Sequence, residues 1–219
     1  VSNFLIKKFK KITLITISKK YKKKFDKSIK FVSLSRDIWS KFGKKFQYLL
    51  ALILLIKEIL NNKNLIVFSF QANIYCIVIC KLFGVKVISR SNTAPIGWSK
   101  NWFKRNIFRI ILNLADKVMV NSLQFKKDLK KEFNLEAICI YNPLNVKEIK
   151  AKSKEKALPI FKSKDKLKIL NIGRFTEQKD QITFLKSLND LKKNFRYEAV
   201  LIGKGVLKTD LEKYIKKNN

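Results

Sequence analysis

The 219-residue sequence predicts an α/β fold in which helices pack on parallel sheets. Short runs rich in Val and Ile alternate with segments whose apolar residues recur every three or four positions. The runs are typical of buried parallel strands, and the segments are typical of the helices that cover them. Because the alternation stops in a Lys-rich stretch and then begins again, the sequence predicts two units of this kind.

The first unit alternates strands and helices throughout. The predicted strands are Lys11–Ser18, Ile29–Leu34, Leu65–Phe70, Val85–Ser89, Lys117–Val120 and Ala137–Tyr141. The predicted helices are Lys41–Leu60, Asn73–Phe83, Trp102–Leu114 and a segment from Ser122 to Phe133. Gly84 should end the second helix, and Ser122 should be the N-cap of the fourth. The Asn142-Pro143 pair ends the last strand, so the first domain is predicted to cover residues 1–146.

The second unit is shorter. Residues 147–166 are rich in Lys and have little apolar periodicity, which indicates a linker or domain crossover. The pattern then resumes in residues 167–219, with strands at Leu167–Ile172 and Tyr197–Ile202 and helices at Lys179–Lys193 and Leu207–Lys217. Two strands and two helices are too few for a doubly wound domain, so this domain is predicted to be incomplete.

Composition limits the chemistry that the chain can perform. Hydrophobic residues make up 47% of the sequence, which is enough for a packed core and excludes a disordered tail. The chain has no His, and this excludes Ser-His-Asp triads, a histidine general base and His-ligated zinc. Its three Cys residues, Cys76, Cys80 and Cys139, lie in apolar runs and indicate buried thiols in a reducing compartment.

The charge is strongly basic, because 49 Lys and Arg against 16 Asp and Glu give a net charge of +33. Only six of the basic residues are Arg, whereas proteins that read nucleic-acid bases rely on Arg and on clustered aromatics. Lys, Ile, Asn and Phe are also the residues that AT-rich codons encode, so one interpretation of the charge is mutational bias. The other is attraction to an anionic membrane or to a phosphorylated substrate.

The apolar runs are too short to span a membrane. The longest, Tyr48–Ile56, has nine residues, whereas a span needs about 20. The first residues, Val1–Phe9, lack the charged start and apolar centre of a signal peptide. We therefore expect a cytoplasmic protein that is at most peripheral at the inner face of the cell membrane.

The strongest candidate site follows the strand Leu167–Ile172. This strand leads into Gly173, a loop carries Arg174, and the next helix should open near Lys179. Loops at the carboxyl ends of parallel strands are where α/β sheets bind ligands. Two cations five residues apart, next to a glycine and a helix N-terminus, can bind a diphosphate. The alternative is an ordinary βα turn with surface charges.

A second loop, Gly203-Lys204-Gly205, follows the next strand. A lone G-x-G motif is weak evidence for a phosphate site and often marks only a turn. Its value is its position, because it lies at the same end of the sheet as Arg174, one βα unit later.

A third loop follows the strand Val85–Ser89 in the first domain and contains Arg90 and Asn92. A single Arg in a polar loop is either a functional cation or the centre of a structural hydrogen-bond network. Trp98 and Trp102 flank this loop, and we expect them to pack rather than to stack on a ligand.

Six stretches carry a resemblance to a known family. They are FSFQANIY (Phe68–Tyr75), VKVISRSNTAPIGW (Val85–Trp98), ADKVMVNS (Ala115–Ser122), IYNPLN (Ile140–Asn145), LNIGRFTEQKD (Leu170–Asp180) and LIGKG (Leu201–Gly205). With them the chain resembles a family 4 glycosyltransferase of the GT-B fold, in which two Rossmann-like domains face each other across a cleft. The G-R-x(4)-K and A-D-x-V-x-V-x-S patterns are fairly specific together, although neither is specific alone.

The resemblance implies transfer of a sugar from a nucleotide-diphosphate donor to a glycan or lipid-linked acceptor, in the synthesis of cell-surface polysaccharide or envelope. It implies retention at the anomeric carbon and neither a metal nor another cofactor. Arg174 and Lys179 would hold the donor diphosphate, and Gly173, Gly203 and Gly205 would line the nucleotide pocket. Nucleic acid is not an expected partner.

For the first domain, the resemblance implies that Arg90 and Asn92 lie on the acceptor side of the cleft. Many relatives have a His in this loop where the chain has Ser91, so no catalytic residue is assigned. The family's C-terminal E-x(7)-E element has no counterpart before Asn219, and the chain begins in the helix that follows the first strand of the relatives. The resemblance therefore implies an internal fragment that is inactive by itself. The alternative from another class is a non-enzymatic basic module that binds anionic membrane or nucleic acid.

Overall fold

The structure is a computed structural model that describes residues 5–18, 22–34, 43–92, 101–156 and 159–218. The chain divides into two compact units, of which the first ends at Leu144 and the second begins at Asn145. Every strand pairing within the described residues is parallel, and helices alternate with strands. The predicted α/β class with parallel sheets is confirmed.

The described residues of unit 1 form two sheets. In the smaller one, β1 (Thr13–Ile15) pairs with β2 (Lys30–Val32). The larger sheet has the order β3-β4-β5-β6, with strands Ile66–Ser69, Lys86–Ser91, Lys117–Val120 and Ala137–Cys139. Each strand of the larger sheet neighbours the next one in sequence, so right-handed crossovers place the three connecting helices on one face of the sheet.

The helices of unit 1 begin and end at recognisable signals. They are α1 (Lys44–Asn61), α2 (Asn73–Leu82), α3 (Trp102–Asn113) and α4 (Leu123–Phe133). The predicted stop after α2 is confirmed, since Gly84 has a left-handed φ of 69° and the Val85 N–H donates to the Cys80 carbonyl at 2.7 Å. The predicted cap of α4 is also confirmed, because the Ser122 hydroxyl accepts the Phe125 N–H at 3.1 Å.

The core of unit 1 lies between the larger sheet and its helices. Val87 and Val120 of the strands are completely buried, as are Ile77 of α2 and Leu129 of α4. Cys80 is buried among them, and this burial raises the pKa of its thiol to about 12. It behaves as a small apolar residue, as the sequence predicts.

Unit 2 is built on two parallel strands, β7 (Leu167–Ile172) and β8 (Tyr197–Ile202). Its helices are α5 (Val146–Lys152), α6 (Gln181–Leu191) and α7 (Lys208–Asn218), and a 3₁₀ turn at Glu177–Lys179 precedes α6. Its core is small and consists of Phe175, Leu185, Leu188 and Leu211. Both strands have the predicted bounds.

The segment predicted as a linker, residues 147–166, contains secondary structure and is bonded to unit 2. Its first part belongs to α5, which Asn145 caps. Further on, the Glu198 carboxylate accepts the backbone N–H groups of Ser163 and Lys162, each at 2.8 Å. These hydrogen bonds lower the pKa of Glu198 and fasten the segment to β8. The interpretation of residues 147–166 as a linker or domain crossover and the predicted domain limits both stay predictions.

The helices agree with the short apolar runs of the sequence in one respect. In the part of the chain that the structure describes, no helix is both long and apolar enough to cross a membrane.

Candidate functional site

Two loops of unit 2 lie side by side at the carboxyl end of its sheet. One follows β7 and contains Gly173 and Arg174, and the other follows β8 and contains Gly203 and Gly205. Three backbone hydrogen bonds join them: Gly173 N–H to the Ile202 carbonyl at 3.0 Å, Phe175 N–H to the Lys204 carbonyl at 3.0 Å, and Leu207 N–H to the Phe175 carbonyl at 3.2 Å. The two loops therefore form one continuous backbone layer.

The close approach of these loops requires two glycines. A Cβ on Gly203 would lie 1.9 Å from the Gly173 carbonyl oxygen, and a Cβ on Gly205 would lie 2.1 Å from the Phe175 carbonyl oxygen. Both neighbours are backbone atoms, so no flexible side chain can move aside. The G-x-G motif is thus explained by loop packing at the end of the sheet that also carries Arg174.

The two predicted phosphate-binding cations, Arg174 and Lys179, are both exposed. The Cγ atom of Lys179 lies 4.0 Å from the position that a Cβ on Gly173 would take, so the lysine side chain runs alongside this glycine. Lys179 belongs to the 3₁₀ turn, and α6 begins two residues later than predicted because Asp180 has a left-handed φ of 45° and caps the helix. Exposed cations beside a glycine backbone can bind an anionic ligand such as a diphosphate.

The buried side-chain amide of Gln181 supports the loop that contains Arg174. Gln181 is only 1% exposed, and its Nε2 donates to the Arg174 carbonyl at 3.0 Å. Within the described residues, four buried side-chain oxygens have no hydrogen-bond partner, and three of them belong to this region, namely those of Asn171, Thr176 and Gln181. Native structures keep few such atoms, and a functional role is one of the explanations for those that remain.

Unit 1 contains a separate cavity of about 730 Å³ at the carboxyl end of β4. Its walls combine aromatic side chains with polar ones: Tyr48, Phe70, Tyr75 and Phe108, and Gln71, Asn73, Arg90, Ser91 and Asn92. Ligand sites commonly combine aromatic walls with a few polar groups that orient the ligand. Such walls suit a ring-shaped ligand with several hydroxyl groups.

Arg90 is held in this cavity by a hydrogen-bond network. It is 6% exposed, and its Nη2 donates to the Asn142 Oδ1 at 2.8 Å. Asn73 Nδ2 donates to the Arg90 carbonyl at 2.9 Å, and Ser69 Oγ donates to the Asn73 Oδ1 at 2.7 Å. Arg90 is therefore a structural hydrogen-bond centre that also lines the cavity, so the two interpretations of its role are compatible.

The Asp of the A-D-x-V-x-V-x-S pattern has a structural contact. The Asp116 Oδ2 accepts from Lys81 Nζ at 2.8 Å and from the Val87 N–H at 2.7 Å. The hydrogen bond from Lys81, followed by that from Val87, lowers the pKa of Asp116. This carboxylate joins α2, the start of β4 and the turn before β5.

The remaining predicted residues have mixed outcomes. Asn92 is exposed and lines the cavity, whereas Trp98 lies outside the described residues. The expectation that Trp102 packs is wrong, because it is 76% exposed at the start of α3. The sequence pattern does not indicate Asn73 and Gln181, because each donates to a backbone carbonyl whose position is fixed only by packing or by a turn.

The comparisons with known proteins give structural neighbours only, since no protein-family model and no curated protein matches the chain. HepE from Anabaena in complex with UDP is 11% identical over 87% of this chain and 51% of its own, with a TM-score of 0.53. A mutant of TarM from S. aureus, in complex with fondaparinux, α-GlcNAc-glycerol and UDP, is 15% identical over 77% of this chain and 34% of its own, with a TM-score of 0.52. The lipopolysaccharide outer core galactosyltransferase WaaB, in its apo form, is 16% identical over 89% of this chain and 52% of its own, with a TM-score of 0.51.

At these identities the likeness concerns the fold. It confirms a partial GT-B architecture of Rossmann-like units with parallel sheets. The chain spans between 34% and 52% of the length of these three structures. Membership of family 4 and the fragment interpretation stay predictions.

Proposed function

We propose that the protein is a glycosyltransferase that moves a sugar from a nucleotide-diphosphate donor to a glycan or lipid-linked acceptor in the synthesis of cell-surface polysaccharide or envelope. The observation that carries this proposal is the exposed pair Arg174 and Lys179 beside two hydrogen-bonded glycine loops at a carboxyl sheet end. The shared fold of TarM and HepE, both in complex with UDP, supports a nucleoside diphosphate as the ligand.

The donor chemistry follows from these two cations. A guanidinium can give two parallel hydrogen bonds to one phosphate, and an ammonium acts as a point charge on the other. As the bond between the anomeric carbon and the diphosphate breaks, the acceptor hydroxyl oxygen would bond to that carbon and its proton would pass to the departing diphosphate. Arg174 and Lys179 would stabilise the negative charge that grows on the nucleoside diphosphate during this step. This scheme needs no metal and assigns no catalytic residue, and we propose retention of the anomeric configuration from the family resemblance alone.

The unit 1 cavity is proposed as the acceptor site. Arg90 and Asn92 would donate hydrogen bonds to acceptor hydroxyl or phosphate oxygens. Tyr75 and Phe70 are 59% and 44% exposed, so their rings are accessible to a sugar ring. We therefore propose that unit 2 binds the donor and unit 1 binds the acceptor.

Calorimetric titration of UDP into the full-length protein tests the donor site. Arg174→Ala should weaken UDP binding about tenfold or more, because a hydrogen bond to a charged group contributes roughly 1.5–3 kcal/mol. Arg196→Ala is the matched control, since Arg196 is also an exposed arginine of unit 2 but precedes β8 rather than following it. GDP, ADP and dTDP are titrated in parallel to cover other nucleotides.

The same titration separates the enzyme from the alternative of a non-enzymatic basic module. Equal losses in Arg174→Ala and Arg196→Ala, with similar binding of UDP, heparin and DNA, would indicate attraction to any polyanion and contradict the proposal. Turnover of a nucleotide sugar by the full-length protein, lost in Arg174→Ala and kept in Arg196→Ala, would support it.

A further inference from the structure

Gln181 is an unusual residue for the position that it occupies in unit 2. It is the first residue of α6 and is 1% exposed. Its spacing from Leu185 and Leu188 places it on the side of α6 that packs in the core. Among the described residues of unit 2, no other polar side chain is buried. Such positions usually hold apolar residues, so the amide needs an explanation.

Packing alone does not account for the Gln181 amide. Burial of a polar group is unfavourable unless the group is hydrogen-bonded. Within the residues that the structure describes, Gln181 Oε1 has no hydrogen-bond partner. An apolar side chain of similar length would occupy this position without an unpaired oxygen. Unit 2 therefore keeps a residue that is unfavourable for its stability, and such residues are typical of positions that serve function.

The nitrogen of the same amide contacts the loop that contains Arg174. Gln181 Nε2 donates to the Arg174 carbonyl at 3.0 Å, and the Thr176 N–H donates to the same carbonyl at 3.0 Å. The amide also lies against Gly173, since a Cβ there would be 3.4 Å from Nε2. Two donors thus hold the peptide group between Arg174 and Phe175, directly after the exposed guanidinium.

We infer that Gln181 is a positioning residue of the proposed donor site. Its hydrogen bond fixes the backbone at Arg174, so that the exposed guanidinium is already oriented towards the diphosphate when the ligand binds. A loop that is fixed in advance loses less conformational entropy on binding, which strengthens the affinity. The inference rests on the proposed function, because it requires that Arg174 contacts the diphosphate.

Calorimetric titration of UDP into full-length Gln181→Met tests this inference. Met has a similar length and no amide, so the variant removes the hydrogen bond and the unpaired oxygen but keeps an unbranched side chain. UDP should bind about fivefold more weakly than to wild type, which lies within the range of measured coupling between residues in contact. In the Arg174→Ala background, the same substitution should change the affinity by less than about twofold, because the side chain through which Gln181 acts is absent.

The stability of the variant distinguishes a positioning role from a merely structural one. The Arg174 carbonyl keeps the Thr176 N–H as a donor in Gln181→Met, so no new unpaired backbone group arises. The unfolding free energy of unit 2 should therefore stay unchanged or rise while the affinity for UDP falls. Hydrogen exchange of the β7 and β8 amides measures the stability, and Gln181→Leu repeats both measurements with a branched side chain.

The matched control is Leu188→Val, at a second buried position of α6. Leu188 is 6% exposed and belongs to the core of unit 2. Loss of a buried methylene group should lower the unfolding free energy of unit 2. The affinity for UDP should nevertheless stay within about twofold of wild type, since distant sites are usually independent.

Three outcomes would overturn the inference. The first is wild-type affinity for UDP in both Gln181 variants, and the second is an equal loss of affinity with and without Arg174. The third is loss of amide protection in β7 and β8 in both variants, because Gln181 would then be needed for the fold itself. In all three cases, binding of UDP that Arg174→Ala weakens would leave the proposed function intact. Absence of binding of UDP, GDP, ADP and dTDP by the wild type would contradict the proposed function and the inference together.

Discussion

The two candidate sites are held in place in different ways. In unit 2, backbone hydrogen bonds and two glycines fix the loops, and the cations Arg174 and Lys179 remain exposed. In unit 1, Arg90 is 6% exposed and is fixed by side-chain hydrogen bonds. Removal of an exposed charge beside a backbone layer should change the unfolding free energy little. Removal of a buried charge that is hydrogen-bonded to other side chains should lower the unfolding free energy more.

The largest effect should come from Gly205→Ala. The new Cβ would lie 2.1 Å from the Phe175 carbonyl oxygen, so the loops must separate. We expect unit 2 to lose about 3 kcal/mol of unfolding free energy, as severe overpacking does. UDP binding should be lost as well. Hydrogen exchange of the β7 and β8 amides measures the loss of stability.

Gly43→Ala is the control for Gly205→Ala, since a Cβ there has no atom within 4 Å. Its effect on unfolding should stay within about 0.5 kcal/mol. Equal exchange rates in the two variants would contradict the view that loop contact requires Gly205.

A smaller effect is expected for Arg90→Met. The variant removes the 2.8 Å hydrogen bond to Asn142 and leaves that side-chain oxygen without this donor, so unit 1 should lose about 2 kcal/mol of unfolding free energy.

Arg174→Ala should change the unfolding free energy of unit 2 by less than about 0.5 kcal/mol, since it is a surface substitution. Hydrogen exchange resolved by unit tests both values. A stability loss in Arg174→Ala as large as that in Arg90→Met would contradict the view that only Arg90 is needed for the stability of its unit.

For Asp116→Asn we expect a stability loss that is smaller than that of Arg90→Met and that depends on pH. The Lys81 contact is about a third exposed, so its contribution is screened and the loss should be about 1 kcal/mol at neutral pH. The pKa of Asp116 is lower in the folded than in the unfolded chain, so its stabilisation is complete above the unfolded pKa of about 3.9. It disappears as the pH falls through the folded pKa. Denaturant titrations of wild type and variant from pH 7 to pH 2 should converge in acid, and a constant difference would contradict this assignment.

The sequence predicts the regular parts of the fold well, for local reasons. The bounds of β5, β7 and β8 agree with the apolar runs, because flanking polar residues and turns end each run sharply. Ser122 is predictable as a cap because its hydroxyl bonds only three residues ahead. Arg174 and Lys179 stand out because they follow a strand end, which is a local pattern as well.

Contacts made at a distance could not be predicted in this way. Asn73 donates to the Arg90 carbonyl, a partner fixed only when α2 and β4 are packed together. The exposure of Trp102 could not be predicted either. Helix α3 has apolar residues on two sides, and their periodicity does not indicate which side packs on the sheet. The short helix α5 buries none of its residues, so its Lys-rich sequence resembles that of a linker.

The joined loops of unit 2 would limit how the ligand preference of the proposed donor site can change. Their backbones are in contact at Gly203 and Gly205, so neither loop can bend to accept a ligand of different shape without breaking the layer. Selectivity of the proposed site would then depend on side chains at the edge of the layer, where Lys204 is exposed and Val206 is 86% exposed. Substitutions at these two positions are therefore the natural route for redesigning ligand choice on an unchanged scaffold.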